Sequence, residues 1–179
     1  MIEPLRAADL PRDLGTRWIG RDLRCLDSVG STNDAAFEAA RAGAPDGTVI
    51  LAETQTGGRG RHGRAWASPR GGGLWLSAIL RHPLPPADRP LLTVVAAVAV
   101  TEAIHAATGL PARIRWPNDV TIAGRKVAGV LVEVRDGPGT ADLAVLGIGL
   151  NVGLDPATLP ADVTPLATSL AAAAGRPVE

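Results

Sequence analysis

DVTIAGRKVAGVLVEV, residues 119–134, is two apolar, β-branched runs joined by a two-residue break. Asp119–Ile122 and Lys126–Val134 each read as a strand, and Ala123-Gly124 between them reads as a tight hairpin turn. Upstream, Ala112–Trp116, Gly73–Arg81, Thr48–Glu53 and Arg24–Val29 add further short strands. Downstream, Asp136-Gly137 opens a turn into a strand over Asp142–Val152. Ser31 or Thr32 suits a helix N-cap, with the helix running to about Arg41 and ended by Gly43. After a turn with Pro83, Pro85, Pro86 and Pro90, Leu91–Thr108 reads as an apolar helix central to the core, stopped by Gly109 and Pro111. Thr164–Ala174 reads as a third helix. Hairpins punctuated by helices favour an α+β fold, a mixed and mostly antiparallel sheet flanked by helices, over a doubly wound one.

The chain has 179 residues, which suits one domain, with residues 1–22 as a loose N-terminal arm. Apolar residues make up 46% and mean hydropathy is +0.14, which excludes a disordered chain. Eighteen basic and eighteen acidic residues balance, which argues against a broadly basic nucleic-acid binder. Cys25 stands alone, so no intrachain disulfide can form. No signal peptide opens the sequence, and the apolar run Leu91–Val100 is too short to span a bilayer, so no membrane and a cytoplasmic location are expected. Lys126 is the only lysine, in a chain that otherwise uses arginine for its cations.

Four segments can carry chemistry. GGRGRHGRAW, residues 57–66, lies in a long glycine-rich loop between two strands. Its glycines let backbone N–H groups approach an anion, its arginines add charge-assisted donors, and Trp66 offers a flat face for a ring. An RG-type RNA-binding segment is the competing interpretation. In RWPND, residues 115–119, Asn118 and Asp119 sit at a strand end, and the hairpin can return Lys126 towards them; a plain Pro-Asn-Asp turn has the same look. GIGLNV, residues 147–152, has the small residues of a strand that a ligand or another backbone approaches closely, or of one relieved in tight packing. STND, residues 31–34, is a helix cap and, by its outward N–H groups, an anion or carbonyl site.

Together STN (31–33), ETQTGGRGRHGRAW (53–66), GLWLS (73–77), WPND (116–119), GRKVAGVLVE (124–133) and GIGLNV (147–152) resemble biotin–protein ligases in order and spacing, over roughly residues 24–152. The resemblance implies a fold related to class II aminoacyl-tRNA synthetases, with residues 23–179 as the catalytic domain. It implies ATP and biotin as substrates, with Mg2+. Ser31, Thr32 and Asn33 would bind the biotin ureido head or close its pocket. Gln55, Arg59, Gly60 and Arg61 would line the biotin and adenylate site, and Trp66 would pack near the adenine. Asn118 and Asp119 would face the phosphates and Mg2+. Lys126 would contact the biotin carboxylate and the adenylate, and Asn151 would lie beside the adenine. The family usually has Lys where Arg115 stands and often Arg where His62 stands, so neither receives a role.

The resemblance further implies two steps: biotin's carboxylate attacks the α-phosphate of ATP, then a lysine of a biotin carboxyl carrier protein attacks the activated carbonyl. Arg59, Arg61 and Lys126 are the expected catalytic cations, offsetting the repulsion between two anions. The glycine–arginine loop is expected to be mobile until ligand closes it. The family's DNA-binding domain, later helices and small β-barrel are not found in these residues, so no DNA partner is expected; a homodimer is compatible with the family. Two other functions stay open: a lipoate or octanoate ligase or transferase of the same fold, and an RNA-binding module built on the loop.

Overall fold

The structure, a computed structural model, describes residues 14–81, 84–85, 87–135 and 143–178. Most of the expected arm, the Asp136-Gly137 turn, Asp142, Pro83 and Pro86 lie outside the described residues. The strands are β1 (Leu23–Leu26), β2 (Val49–Ala52), β3 (Gly73–Arg81), β4 (Arg113–Arg115), β5 (Asp119–Ile122), β6 (Arg125–Val134) and β7 (Leu143–Asn151). The helices are α1 (Thr32–Arg41), α2 (Arg89–Thr108) and α3 (Leu170–Ala174).

The seven strands form one sheet in the order β1-β2-β3-β7-β6-β5-β4. β1 runs parallel to β2, and the other neighbouring pairs are antiparallel. This is the expected mixed, mostly antiparallel sheet. Side chains alternate across it, so each strand has two jobs. On one face, Ile50, Ile79, Leu143 and Val145 pack under Ala36, Phe37 and Ala40 of α1. On the opposite face, Val120, Ala128 and Val130 pack under Ala96, Ala97, Val100 and Ile104 of α2, with Leu170 of α3 beside them.

Two expectations need correction. α2 enters the core by one side only: Ala96, Ala97, Val100 and Ile104 are buried against the sheet, while Leu91 and Val95 are 57% and 65% exposed. The helix is apolar all round, so no pattern in it marks which side is covered. By length and composition alone it could cross a membrane, but it packs on the sheet by one side. The helix expected over Thr164–Ala174 is instead a 3-10 turn at Thr164–Leu166, an extended Ala167-Thr168, and the short α3 capped by Ser169. Pairing across the fold wins over local helix propensity there. Ala167 bridges Lys126, and Thr168 N donates to Lys126 O at 2.8 Å while its carbonyl accepts from Asn151 Nδ2 at 2.9 Å.

The β5–β6 turn carries Ala123 and Gly124 at φ 49° and 77°. Two left-handed residues in a row are what a tight hairpin turn needs, and alanine is a poor occupant of the first. Ala123→Asn is expected to stabilise the fold by about 0.5–1 kcal/mol, seen as a higher denaturation midpoint with an unchanged urea slope.

Candidate active site

Strand alternation builds the site on the same sheet face as α1. Beyond Val145, β7 presents Gly147, Gly149 and Asn151. Their β3 partners are Ser77, Trp75 and Gly73, and on β6 Leu131 and Gly129 face Gly147 and Gly149. Where side chains shrink to glycine, the sheet leaves a depression. A Cβ on Gly149 would stand 2.5 Å from Trp66 Nε1, and one on Gly147 would run into Asn33. The close approach expected at GIGLNV is therefore made by two side chains of the chain itself.

Two hollows adjoin over this floor. The first, about 40 Å³, is enclosed by Ser31–Asn33 at the start of α1, by Gln55, Arg59 and Gly60, and by Trp66. The second, about 240 Å³, has Arg61, Arg64 and Arg115 on its rim, Asn118, Asp119, Lys126 and Asn151 within, and Leu154, Leu159, Val163 and Leu166 as an apolar wall. Trp66, Lys126, Asn118 and Gly60 border both. Each of the twelve residues singled out in the sequence lines one hollow or both.

The loop over them is folded. Gly57 N donates to Gly30 O at 2.7 Å, Gly60 N to Arg64 O at 2.7 Å, and Trp66 N to Gly58 O at 2.9 Å. Arg59 forks onto both oxygens of Asp34 at 2.7 Å and reaches Glu133 at 3.1 Å, anchoring the loop to α1 and β6. A charged loop tied down by internal acids is unlike a free RG tail. His62, at φ 59°, forms the tip with Arg61 and Gly63.

The Arg59 hydrogen bond, with Arg135 behind it, outweighs burial and holds the Asp34 carboxyl down at about 2, against 3.8 unfolded. A depressed carboxyl contributes stability that is complete above about pH 4 and lost as pH falls through about 2. With 43% of the Asp34 side chain exposed, screening limits the contribution to about 1 kcal/mol. Asp34→Asn is expected to lose that amount at pH 7. Its urea midpoint should converge on that of the unsubstituted chain as pH drops from about 4 towards 2.

Lys126 Nζ sits 2.5 Å from Asp119 Oδ1 and 5.0 Å from the centre of the Trp66 ring. Arg115 takes the other Asp119 oxygen at 3.0 Å, which gives that arginine a partner the sequence did not reveal. Burial pushes the Asp119 carboxyl up, but Lys126 and then Arg115 outweigh it and hold it below the usual carboxylate range. Asn118 donates to Val130 O at 3.0 Å and accepts from Arg61 at 3.3 Å. The buried indole N–H of Trp66 has no acceptor among the described residues. Also among the described residues, no three His, Cys, Asp or Glu side chains gather to hold a metal, and Asp119 is the one acid lining either hollow. One carboxylate suits a divalent ion that arrives on substrate phosphates, not one caged by protein.

Sequence reasoning missed Asp34, Ser77, Glu133 and the wall from Leu154 to Leu166. Ser77 did carry a signal, as a polar residue on the buried parity of an apolar strand run, and Glu133 a weaker one, as an acid inside an apolar run on its half-buried face. The wall carried none, because its leucines and valine follow neither strand nor helix period.

Residues 25–151 match the model of the biotin/lipoate A/B protein ligase family. The bifunctional ligase/repressor BirA of Bacillus subtilis is 39% identical over 98% of this chain and 54% of its own length. The biotin–[acetyl-CoA-carboxylase] ligase of Mycobacterium tuberculosis is 38% identical over 87% of this chain and 56% of its own. The chain thus spans about half the length of the curated relatives it matches. Among solved structures, the biotin protein ligase of Aquifex aeolicus in complex with biotin and ATP superposes with a TM-score of 0.73 at 32% identity. That match covers 89% of this chain and 63% of the other.

Proposed function

The chain belongs to the biotin/lipoate A/B protein ligase family, and on that premise we propose that residues 23–179 act as the catalytic domain of a biotin–protein ligase. The carrying observation is the pair of hollows that meet at Lys126, one lined by both polar and apolar side chains and one with an apolar wall and a cationic rim. The first suits the biotin head, held by Ser31, Thr32, Asn33 and Gln55. The second suits ATP, with the adenine near Trp66, Asn151 and the apolar wall, and the phosphates towards Asn118 and Arg61.

In the first step a biotin carboxylate oxygen attacks the α-phosphorus, and the bond to pyrophosphate breaks. Lys126 stands where the carboxylate and phosphate would meet, and its charge offsets their repulsion; Arg61 adds to it from the rim. In doing so Lys126 exchanges Asp119 for substrate anions. Mg2+ would come on the ATP phosphates and spread their charge, with Asp119 as its protein ligand. In the second step the amine of a carrier lysine attacks the biotinyl carbonyl, the C–O bond to AMP breaks, and the amine loses a proton. The groups named come from one chain, and the reaction is placed in the cytoplasm with a carboxylase carrier domain as acceptor. Arg59, already committed to Asp34 and Glu133, is assigned to holding the loop rather than to the reacting atoms.

The test is biotin-dependent ATP–pyrophosphate exchange, followed by mass spectrometry of a carrier domain offered biotin or lipoate. Exchange with biotin, and a carrier gaining one biotinyl group, supports the proposal. Lipoyl transfer in preference would reassign the chain within its family, and exchange with neither acid would overturn the proposal.

A further inference from the structure

Asp119 is held by two cations, one on each oxygen. Lys126 Nζ lies 2.5 Å from its Oδ1, and Arg115 Nη2 lies 3.0 Å from its Oδ2. The two partners are not equivalent. Lys126 comes from β6 on a flexible stem laid against Gly129, where a Cβ would stand 3.1 Å from both Cε and Nζ. It borders both hollows, whereas Arg115 borders the second alone. Arg115 comes from β4, where it is the register partner of Asp119 itself. Backbone pairing therefore keeps the arginine opposite the acid, whatever the lysine does. The side chains of Asp119 and Lys126 are 20% and 25% exposed and that of Arg115 is 48% exposed, so the lysine is the inner partner and the arginine the outer one. An acid shared by two cations holds each less firmly than an acid that has one, because the cations repel and divide its charge. Without the arginine, the whole charge of Asp119 falls on Lys126. A ligand carboxylate that draws on the lysine must then compete with it, beside a less neutralised acid of its own sign.

We propose that Arg115 is a positioning residue that keeps Asp119 paired while Lys126 turns to the biotin carboxylate, and so lowers the cost of freeing the lysine. Arg115 acts through Asp119 and not on the substrate. Its contact is one N–H on one oxygen, not a fork, so the place asks for a cation and not for a guanidinium in particular. The inference rests on the biotin reading above and deepens it, by giving Arg115 a part in the transfer of Lys126 from acid to ligand.

The experiment uses Arg115→Ala, Arg115→Lys, Asp119→Asn and the double variant Arg115→Ala/Asp119→Asn. Biotin affinity is read by calorimetry without ATP or Mg2+, and KM for biotin and for ATP by pyrophosphate exchange, with thermal midpoints as the folding control. Arg115→Ala is expected to raise Kd and KM for biotin about fivefold, the weight of a partly exposed ion pair, with KM for ATP within about twofold. Arg115→Lys should bring biotin affinity back to within about twofold of the unsubstituted chain, since it restores the charge opposite the acid. In the Asp119→Asn background, Arg115→Ala should leave biotin affinity where Asp119→Asn alone puts it, because the group through which the arginine acts is gone. A loss that persists in that background would assign Arg115 to the fold and overturn the inference. So would a larger shift in KM for ATP than for biotin, which would make Arg115 a phosphate contact, and so would no shift at all. Each of these outcomes leaves an active unsubstituted chain as a biotin ligase, whereas an unsubstituted chain that binds no biotin would remove both readings. If Arg115→Ala lowers the thermal midpoint, the Asp119→Asn background and Arg115→Lys decide, since a defect of the fold would carry over into the first.

Discussion

Replacing Lys126 with alanine is expected to lower biotin-dependent ATP–pyrophosphate exchange by about 10²–10³-fold, the usual loss when one preorganised charge donor is removed from a reacting anion. Lys126 borders both hollows, and its ammonium is held between Asp119 and the face of Trp66. The rim arginines stand further out, and Arg59 is committed to two acids, so among the described residues no other cation is placed to replace it. Alanine also leaves Asp119 in the cleft with Arg115 as its remaining ion-pair partner among the described residues, so its negative charge is less neutralised where two anions must meet. Lys126→Arg is expected to recover only part of the loss, since a planar guanidinium cannot take the place of a compact ammonium over the indole. Exchange within threefold of the unsubstituted chain in the alanine variant would remove Lys126 from the mechanism.

Gly149→Ala is expected to cost about 10²-fold in kcat/KM for both substrates while the sheet stays folded. The added Cβ would stand 2.5 Å from Trp66 Nε1 and 2.6 Å from Cε2, so the ring must move. It has little freedom to do so without leaving its place. Its edge meets Trp75 with centroids 6.4 Å apart, its face meets Lys126, and its backbone is bonded to Gly58. A shift of the order of 1 Å in a group that orders the reacting ends is enough for a loss of that size. Steady-state kinetics give the loss, and tryptophan fluorescence reports the displaced ring. Normal kinetics with an unchanged emission spectrum would show that Trp66 does not border the working site.

Much of this was legible in the residues because local chemistry and the final fold agree. β3 spans Gly73–Arg81 as its alternation indicated, α1 starts after Ser31 and gives way at Gly43, and the Ala123-Gly124 turn closes the hairpin. The residues that line the hollows were legible for another reason: taken singly they also read as a cap, a turn or packing glycines, but their motifs in order and spacing resemble those of one family. What stayed hidden depends on pairings between distant segments. Asn33 and Glu133 are 100 positions apart and meet only because Glu133 sits opposite Val145 on β7, next to Gly147, on the face where α1 starts. The backbone near Ala167 abandons helix for a bridge to Lys126, a choice no property of residues 164–174 announces. The exposed side of α2 could not be told from its buried side, because both are apolar.

Lys126 is the only lysine among 179 residues, and the structure puts its amine under Asp119 and against an indole, with a quarter of the side chain open. The molecule therefore carries a single side-chain amine whose availability depends on whether that contact is made. An acylating reagent in solution has one lysine to find, and the rate at which it finds it measures how often the Asp119 contact opens. Acylation kinetics at this one position would give the opening equilibrium directly, free of the background that a lysine-rich surface imposes.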